Sequence, residues 1–499
     1  MAAVASILRK SNILRLVARI TTVLLCSILL FARNYATPYD GLFPDHPDRG
    51  IWMDAAYRMQ KGEVAYENFR SPFGFFWLKI NALSTLFGEG CKGFPKTVAL
   101  LYSFFAILLA LDLRRRFPFF LIGNLYIFSR FAAVQYPDYN VIGELLFVVF
   151  AYTVSNSRFR ISFVEILISS LVLCVLFHWK WNFLLLASGF LSVRPLRFGV
   201  SRNTVLEVLS ILLLALVWIL ISVFLFKNEF VFFNFLKDLS VSFSIKSESV
   251  GPASYLLAFL LVLKKFGLYF FVYGFVFWYF EIRRKGKKRV VRESAIFALM
   301  IACSTLMNVT NASKWEAFGI EWHALYWLSR RSLFHSSKRR TWIRTLFLLS
   351  FLLAVCIPRC KDFYWEARRG FPKNVSTCST VGYEYWKSLC EGMRLLETAK
   401  QERSVLSVTF SNPMNALLKR KSLENDLLHW NFYDSFNEKH VPDLTSIFRD
   451  SPFVLEPKTF ADDYQRTIYL EKRKLIDPIL DKQYIQKYEN EYWKLWTPR

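Results

Sequence analysis

Asp45, His46 and Asp48 open the most informative stretch of the chain, which continues through Asp54, Arg58 and Arg70. A carboxylate can take the proton of a hydroxyl within hydrogen-bond reach, and a nearby cation can hold a departing anion. Asp48 precedes a predicted amphipathic helix over about 49–60, whose apolar stripe is Ile51, Trp52, Ala55, Ala56 and Met59. Asp48 can cap that helix or act as a base, and the residues alone leave both readings open. Gly62 follows the last turn as a stop signal. Arg58 lies one turn from Asp54 and either pairs with it or binds an anion. Arg70 either binds an anion or contacts lipid headgroups. His46 and Asp48 are weak candidates for a divalent cation, because two residues do not make a metal site.

A second group follows the run that ends at His178. Lys180 lies between Trp179 and Trp181 at the end of an apolar stretch. A cation there is costly unless it pairs with an anion or snorkels to the interface. The two tryptophans suit ring stacking or an interfacial aromatic belt. Asp138 and Asn140 follow Pro137, where they either bind hydroxyls or stabilise a turn.

The elements that must position these groups are membrane helices. Of 499 residues, 54% are apolar and 18% aromatic, with 50 Phe. Runs of apolar residues alternate with basic clusters such as Arg114-Arg115-Arg116, Arg283-Arg284-Lys285 and Lys338-Arg339-Arg340. Each long run approaches the length needed to cross a bilayer of about 30 Å. The net charge of +25 follows the positive-inside pattern, and no nucleic-acid motif accompanies it. Nucleic acid is therefore not an expected partner.

Predicted spans are 16–33, 96–113, 117–134, 141–157, 160–178, 182–195, 204–226, 266–282, 294–309, 314–329 and 341–357, about eleven in all. The first follows Arg9, Lys10 and Arg15 and is expected to be a retained helix, not a cleaved signal. This parity puts the N-terminus in the cytoplasm, with 34–95, 227–265 and everything after about 358 outside. The short runs 73–87 and 251–263, like the helix over 49–60, are expected to lie in the interface. The expected fold is thus an all-α polytopic membrane bundle over 1–357, with interfacial helices in the external loop 34–95. A small α/β domain is expected over 358–499, with strands at 404–410 and 452–457. Cys360, Cys378 and Cys390 lie in that external region, where any pairing among them would leave an odd thiol. Asn374 begins a formal glycosylation sequon.

Asp48, then Ala55-Ala56-Tyr57-Arg58, Gly62-x-x-x-Tyr66-x-x-Phe69 and Ser71-Pro72-x-Gly74, resembles the first external loop of the GT-C superfamily of membrane glycosyltransferases. The branch it is most similar to is the bacterial one related to protein O-mannosyltransferases and aminoarabinose transferases. Weaker elements follow in order: Tyr136 to Val141, His178 to Phe183, Asn308 to Ser313, Phe410 to Asn415, His429-Trp430 and Phe448 to Lys458. Coverage is nearly the whole chain, but only the first-loop pattern is fairly specific.

The resemblance implies transfer of a sugar from a polyprenyl-phosphate donor to a glycan, lipid or protein acceptor on the external face, with inversion. It places the catalytic base at Asp48, with Asp45 as the fallback. Donor phosphate would be held by Lys180, Arg58 and Arg70, and substrate by Asp138, Tyr139, Asn140, His178 and Asn311. The family's second acidic position is Asn68 here, which leaves at best Glu67 as a displaced substitute and weakens any two-carboxylate scheme. Some relatives use a divalent cation and others none, so no cofactor is firmly expected. A bacterial inner membrane is the expected location. The competing classes are a flippase for lipid-linked sugars and a non-catalytic envelope-assembly protein. A flippase would show repeats and charges deep inside spans, and neither is evident in the sequence.

Overall fold

The computed structural model describes residues 2–35, 47–111, 117–132, 138–156, 161–249, 251–261, 380–400, 403–432, 435–460 and 463–499, with short helical pieces between 263 and 306. The protein is mostly helical, with a small sheet near its C-terminus. Two compact units divide the chain. One comprises 1–35, 98–221 and 250–368; the other comprises 36–97, 222–249 and 369–499.

Among the described residues, three helices are long and apolar enough to cross a membrane: Ile13–Ala32, Cys91–Leu111 and Arg202–Leu225. They coincide with the predicted spans 16–33, 96–113 and 204–226. Leu24, Leu25 and Ile28 on the first, and Leu213, Leu216 and Leu220 on the last, stay exposed, as lipid-facing side chains would. The other described runs form shorter helices, so a count of eleven spans is not reached here. The predicted spans 266–282, 314–329 and 341–357 lie outside the described residues, as do Cys360, Cys378 and Asn374.

In the first unit the helices are α1 (Ala2–Tyr35), most of α4 (Phe94–Leu111), α5 (Phe117–Ala132), α6 (Tyr139–Asn156), α7 (Phe163–Phe177), α8 (Trp181–Phe190), α9 (Val193–Phe198) and most of α10 (Arg202–Leu225). Helices α6, α7 and α8 pack on one another, and α1 packs on α5. Ser162 and Glu165 form a capping box that starts α7. The predicted span 182–195 is broken into α8 and α9. Pro195 has no amide hydrogen to continue the ladder of α8, and Gly199, at φ +86°, ends α9.

Several charged side chains are buried in this unit. Arg130 in the last turn of α5 pairs with Glu144 near the start of α6, which also accepts the Tyr126 hydroxyl proton. These charges sit near helix ends and are paired. Arg194 likewise pairs with Glu207, whose other oxygen caps the Ile161 amide at 3.0 Å.

The second unit is built from distant pieces of chain. From the first loop come α2 (Pro47–Gln60), β1 (Phe69–Arg70) and α3 (Phe75–Ser84), and from the middle α11 (Phe232–Ser249). The C-terminal region adds α12 (Thr380–Thr398), β2 (Leu406–Ser407), α13 (Met414–Leu417), β3 (Asp426–Leu427), α14 (Leu444–Arg449), β4 (Val454–Pro457), α15 (Asp463–Gln483), β5 (Tyr484–Glu489) and β6 (Trp493–Pro498). The expected strands are present as β2 and β4. They pair in parallel, while β4–β6 and β6–β5 are antiparallel, giving the order β2-β4-β6-β5. Ile468, Tyr469, Ile476 and Leu480 of α15 join Leu406, Val408, Val454 and Trp430 in one apolar core.

The first-loop strand β1 pairs in parallel with β3, with Phe69 opposite Asp426 and Arg70 opposite Leu427. The loop predicted to belong with the membrane bundle therefore folds together with the C-terminal region. Helix α2 is not a surface helix lying on a bilayer: Ile51, Trp52, Met53, Ala55 and Ala56 are all buried, packed by α3 on one side and α13 on another. Its Trp52 meets Trp77 and Phe94 edge-on, each with ring centroids 6.4 Å apart. Helix α2 ends as expected in a Schellman motif, with Gly62 at φ +80° and the Glu63 amide donating to the Arg58 carbonyl at 3.1 Å.

Candidate functional site

Asp48 lies half-buried in the first turn of α2, one position inside the helix that begins at Pro47. A carboxylate there faces the positive end of the helix dipole. Asp45 and His46 lie outside the described residues. Two positions on, Gly50 is pressed against the C-terminal region. A Cβ built there would stand 2.6 Å from the Ser411 Oγ and 2.8 Å from the Tyr385 hydroxyl. The first turn of α2 is thus seated on the segment Phe410 to Asn415. That segment is itself held rigidly: Asn415 exchanges hydrogen bonds with the Val405 backbone at 2.9 and 2.8 Å, and the Asn412 amide donates to the Val405 carbonyl at 3.0 Å.

Arg58 has a different role from the expected phosphate contact. Its guanidinium is fully buried, with Nε 3.0 Å from Asp54, Nη2 3.0 Å from Asp426 and Nη1 3.1 Å from the Leu423 carbonyl. Glu63 stands 3.4 Å from Nη1. With its nitrogens turned to these internal acceptors and no exposed surface, Arg58 ties α2 to the C-terminal region. Burial works against its charge, yet Asp54 and Asp426 hold it above the ordinary arginine range. Burial pushes the Asp54 carboxyl up to about 7, against the pull of Arg58. Asp54 Oδ1 is buried with no hydrogen-bond partner. Three carboxylates share one guanidinium, and a proton on Asp54 relieves the surplus negative charge. Trp430 Nε1 completes the knot by donating to Asp426 at 2.8 Å.

Arg70 is also paired. It meets Asp238 of α11 at 2.7 Å, and the Ser71 amide donates to the same carboxylate at 3.2 Å. Burial raises the Asp238 carboxyl and Arg70 opposes that rise. With part of its side chain exposed, Arg70 retains a face for a ligand that Arg58 lacks. Asn68, at the family's second acidic position, uses its Oδ1 to accept the Val64 amide at 2.7 Å, which fixes the turn before β1.

In the other unit, Asp138, Tyr139, Asn140 and Lys180 come together. Asp138 caps α6, its Oδ1 accepting the Asn140 and Val141 amides at 2.7 and 3.0 Å. Lys180 donates to the Asn140 Oδ1 and lies over the Tyr139 ring, 4.1 Å from its centroid. Trp179 Nε1 donates to the Tyr139 carbonyl at 2.8 Å, joining the turn after α7 to the start of α6. His178 is buried at the end of α7. The Lys180 ammonium is therefore oriented by an amide and a ring. Asn311 lies outside the described residues.

Sequence reasoning missed Asp426, Asp238 and Lys472, each of which is buried in the second unit. Nothing local marks them, because their partners lie far away along the chain. Among the described residues, no group of three or more His, Cys, Asp or Glu side chains is placed to hold a metal ion. Comparison with known protein families and with curated proteins finds no match.

Proposed function

We propose that the protein is an integral membrane glycosyltransferase of the GT-C type, using a polyprenyl-phosphate-linked sugar. Asp48 removes the proton of the acceptor hydroxyl as its oxygen attacks the anomeric carbon. The bond to the donor phosphate breaks, and the polyprenyl phosphate departs with the electron pair, inverting the anomeric centre. Lys180 binds the donor phosphate, while Tyr139 and Asn140 hold that ammonium in place. The acceptor is a glycan, lipid or protein at the external face of a bacterial inner membrane, with the N-terminus in the cytoplasm.

The observation that carries this reading is the setting of Asp48. A half-buried carboxylate stands in the first turn of a helix immobilised by the Arg58–Asp54–Asp426 knot and seated on Ser411 and Tyr385. Such anchoring restrains the base before substrate arrives. Sugar transfer measured in membranes with Asp48→Asn tests the assignment. Loss of at least about 100-fold is expected, with normal protein levels. Full retained activity would remove Asp48 from the mechanism, and lipid-linked sugar crossing the membrane without transfer would favour a flippase.

A further inference from the structure

The C-terminal part of the second unit contains a crevice of about 240 Å³ that the transferase reading does not use. It lies just beyond the carboxyl ends of the parallel strands β2 and β4. Thr409 and Phe410 follow β2, Thr459 and Phe460 follow β4, and all four line it. The chain leaves β2 for α13 and β4 for α15, and where such connections part, a sheet with parallel strands leaves room for a ligand. Ser388 of α12 and Gln465 of α15 add polar groups to the walls.

The lining offers no charge to a ligand. Its one cationic side chain, Lys472, is 1% exposed and spends its N–H bonds on the carbonyls of Val408, Thr409 and Trp430 at 3.2, 2.7 and 2.9 Å. No carboxylate lines the crevice among the described residues. An ionic ligand would lose its water there without gaining a partner, so the crevice suits an uncharged one. Several polar groups are also spent: the Thr409 hydroxyl donates to the Ser411 carbonyl, and Trp493 Nε1 to the Ser388 carbonyl at 2.6 Å. The hydroxyls of Ser388 and Thr459 make no hydrogen bond to any described residue. Each can donate and accept, as a sugar hydroxyl does. Partly exposed rings of Tyr385, Phe410 and Phe460 flank them, and Phe460 is backed by Tyr469 with centroids 5.0 Å apart. Flat aromatic faces suit the C–H face of a pyranose. A nucleotide base would fit the rings as well, but its phosphate would find no cation. The volume lies below the roughly 300–1,000 Å³ of pockets for drug-sized ligands, which suits one ring. Tyr385 also reaches the first turn of α2, through its approach to Gly50 and its 3.3 Å contact with Ser411.

We infer that this crevice binds one uncharged pyranose unit, its C–H face against Phe410 and Phe460 and its hydroxyls meeting Ser388, Thr459 and Gln465. That the unit belongs to the acceptor, which is then a glycan, rests on the transferase reading; the binding itself does not.

The test is ligand-observed NMR titration of the full-length protein in nanodiscs with methyl glucoside, methyl mannoside, methyl N-acetylglucosaminide, methyl glucuronoside, cyclohexylmethanol and adenosine. At least one neutral glycoside is expected to bind about tenfold more tightly than cyclohexylmethanol, a gap worth one or two hydrogen bonds, and the glucuronoside no more tightly than the glucoside. Phe460→Ala and Thr459→Val, at the outer edge of the crevice, are expected to weaken glycoside binding several-fold with an unchanged Tm. Absence of neutral glycoside binding, equal binding of cyclohexylmethanol, a tighter uronoside, binding of adenosine alone, or an affinity that neither variant moves would overturn the inference. The bound glycoside is expected to inhibit sugar transfer in competition with the acceptor; binding without inhibition keeps the crevice and removes it from the acceptor site. Glycoside binding with transfer indifferent to Asp48→Asn leaves the crevice standing and the transferase mechanism refuted. Transfer dependent on Asp48 without glycoside binding refutes the crevice alone.

Discussion

Arg58 shows how much one side chain can decide. A guanidinium with a carboxylate one turn earlier is an ordinary helix pair when exposed, contributing a few tenths of a kcal/mol. Here the same pair is buried and shared with Asp426, 368 residues away. Removing the cation leaves two fully buried carboxylates facing each other. Arg58→Met is therefore expected to destabilise the protein by about 3–5 kcal/mol, read as a fall in Tm in detergent. Asp54 gives a pH signature. Its carboxyl is raised in the folded protein from 3.8 to about 7, so the native state holds a proton that the unfolded state releases between those values. The stability this contributes is complete below the unfolded value and is lost as pH rises through about 7. Asp54→Asn keeps an acceptor for Arg58 and is expected to flatten the fall of Tm across that window. An unchanged slope would mean that Asp54 is ionised throughout.

At the scale of elements, the turn between α7 and α8 and the start of α6 act together. Asp138 caps α6, Asn140 accepts from Lys180, and Trp179 bonds to the Tyr139 backbone. The sequence left Asp138 open between ligand and turn former, and the structure shows the turn. Lys180 remains the cation of this group with a proposed ligand. Lys180→Gln is expected to raise the KM for the lipid-linked donor about tenfold while leaving kcat within a few-fold, since it removes binding energy present before the transition state. A fall in kcat with unchanged KM would instead place Lys180 in the chemistry. Helix α2 carries a different lesson at this scale. Its apolar stripe marks a helical face, but periodicity reports only that a face is buried, not against what. Burial against α3 and α13 makes it a core helix.

At the scale of the whole molecule, three helices among the described residues are long and apolar enough to cross a membrane. Basic clusters separate the apolar runs, and the proposed orientation rests on that pattern. Fusing alkaline phosphatase to the C-terminus is expected to give an active, exported enzyme, and fusing it after Arg116 an inactive one. The reverse result would put Asp48 on the wrong face for a flipped donor and end the proposed mechanism.

Features whose causes are local are legible in the sequence. Apolar runs long enough for a bilayer, a helix over about 49–60 with its stop at Gly62, and the buried strands around Leu406 and Val454 all follow from composition, spacing and turn chemistry within a few residues. Long-range packing makes α2 a core helix, pairs β1 with β3, joins Arg58 to Asp426 and Arg70 to Asp238, and buries Lys472 among backbone carbonyls. Those outcomes depend on which distant groups share one buried volume. A carboxylate hundreds of residues away leaves no trace in the spacing of the arginine it neutralises.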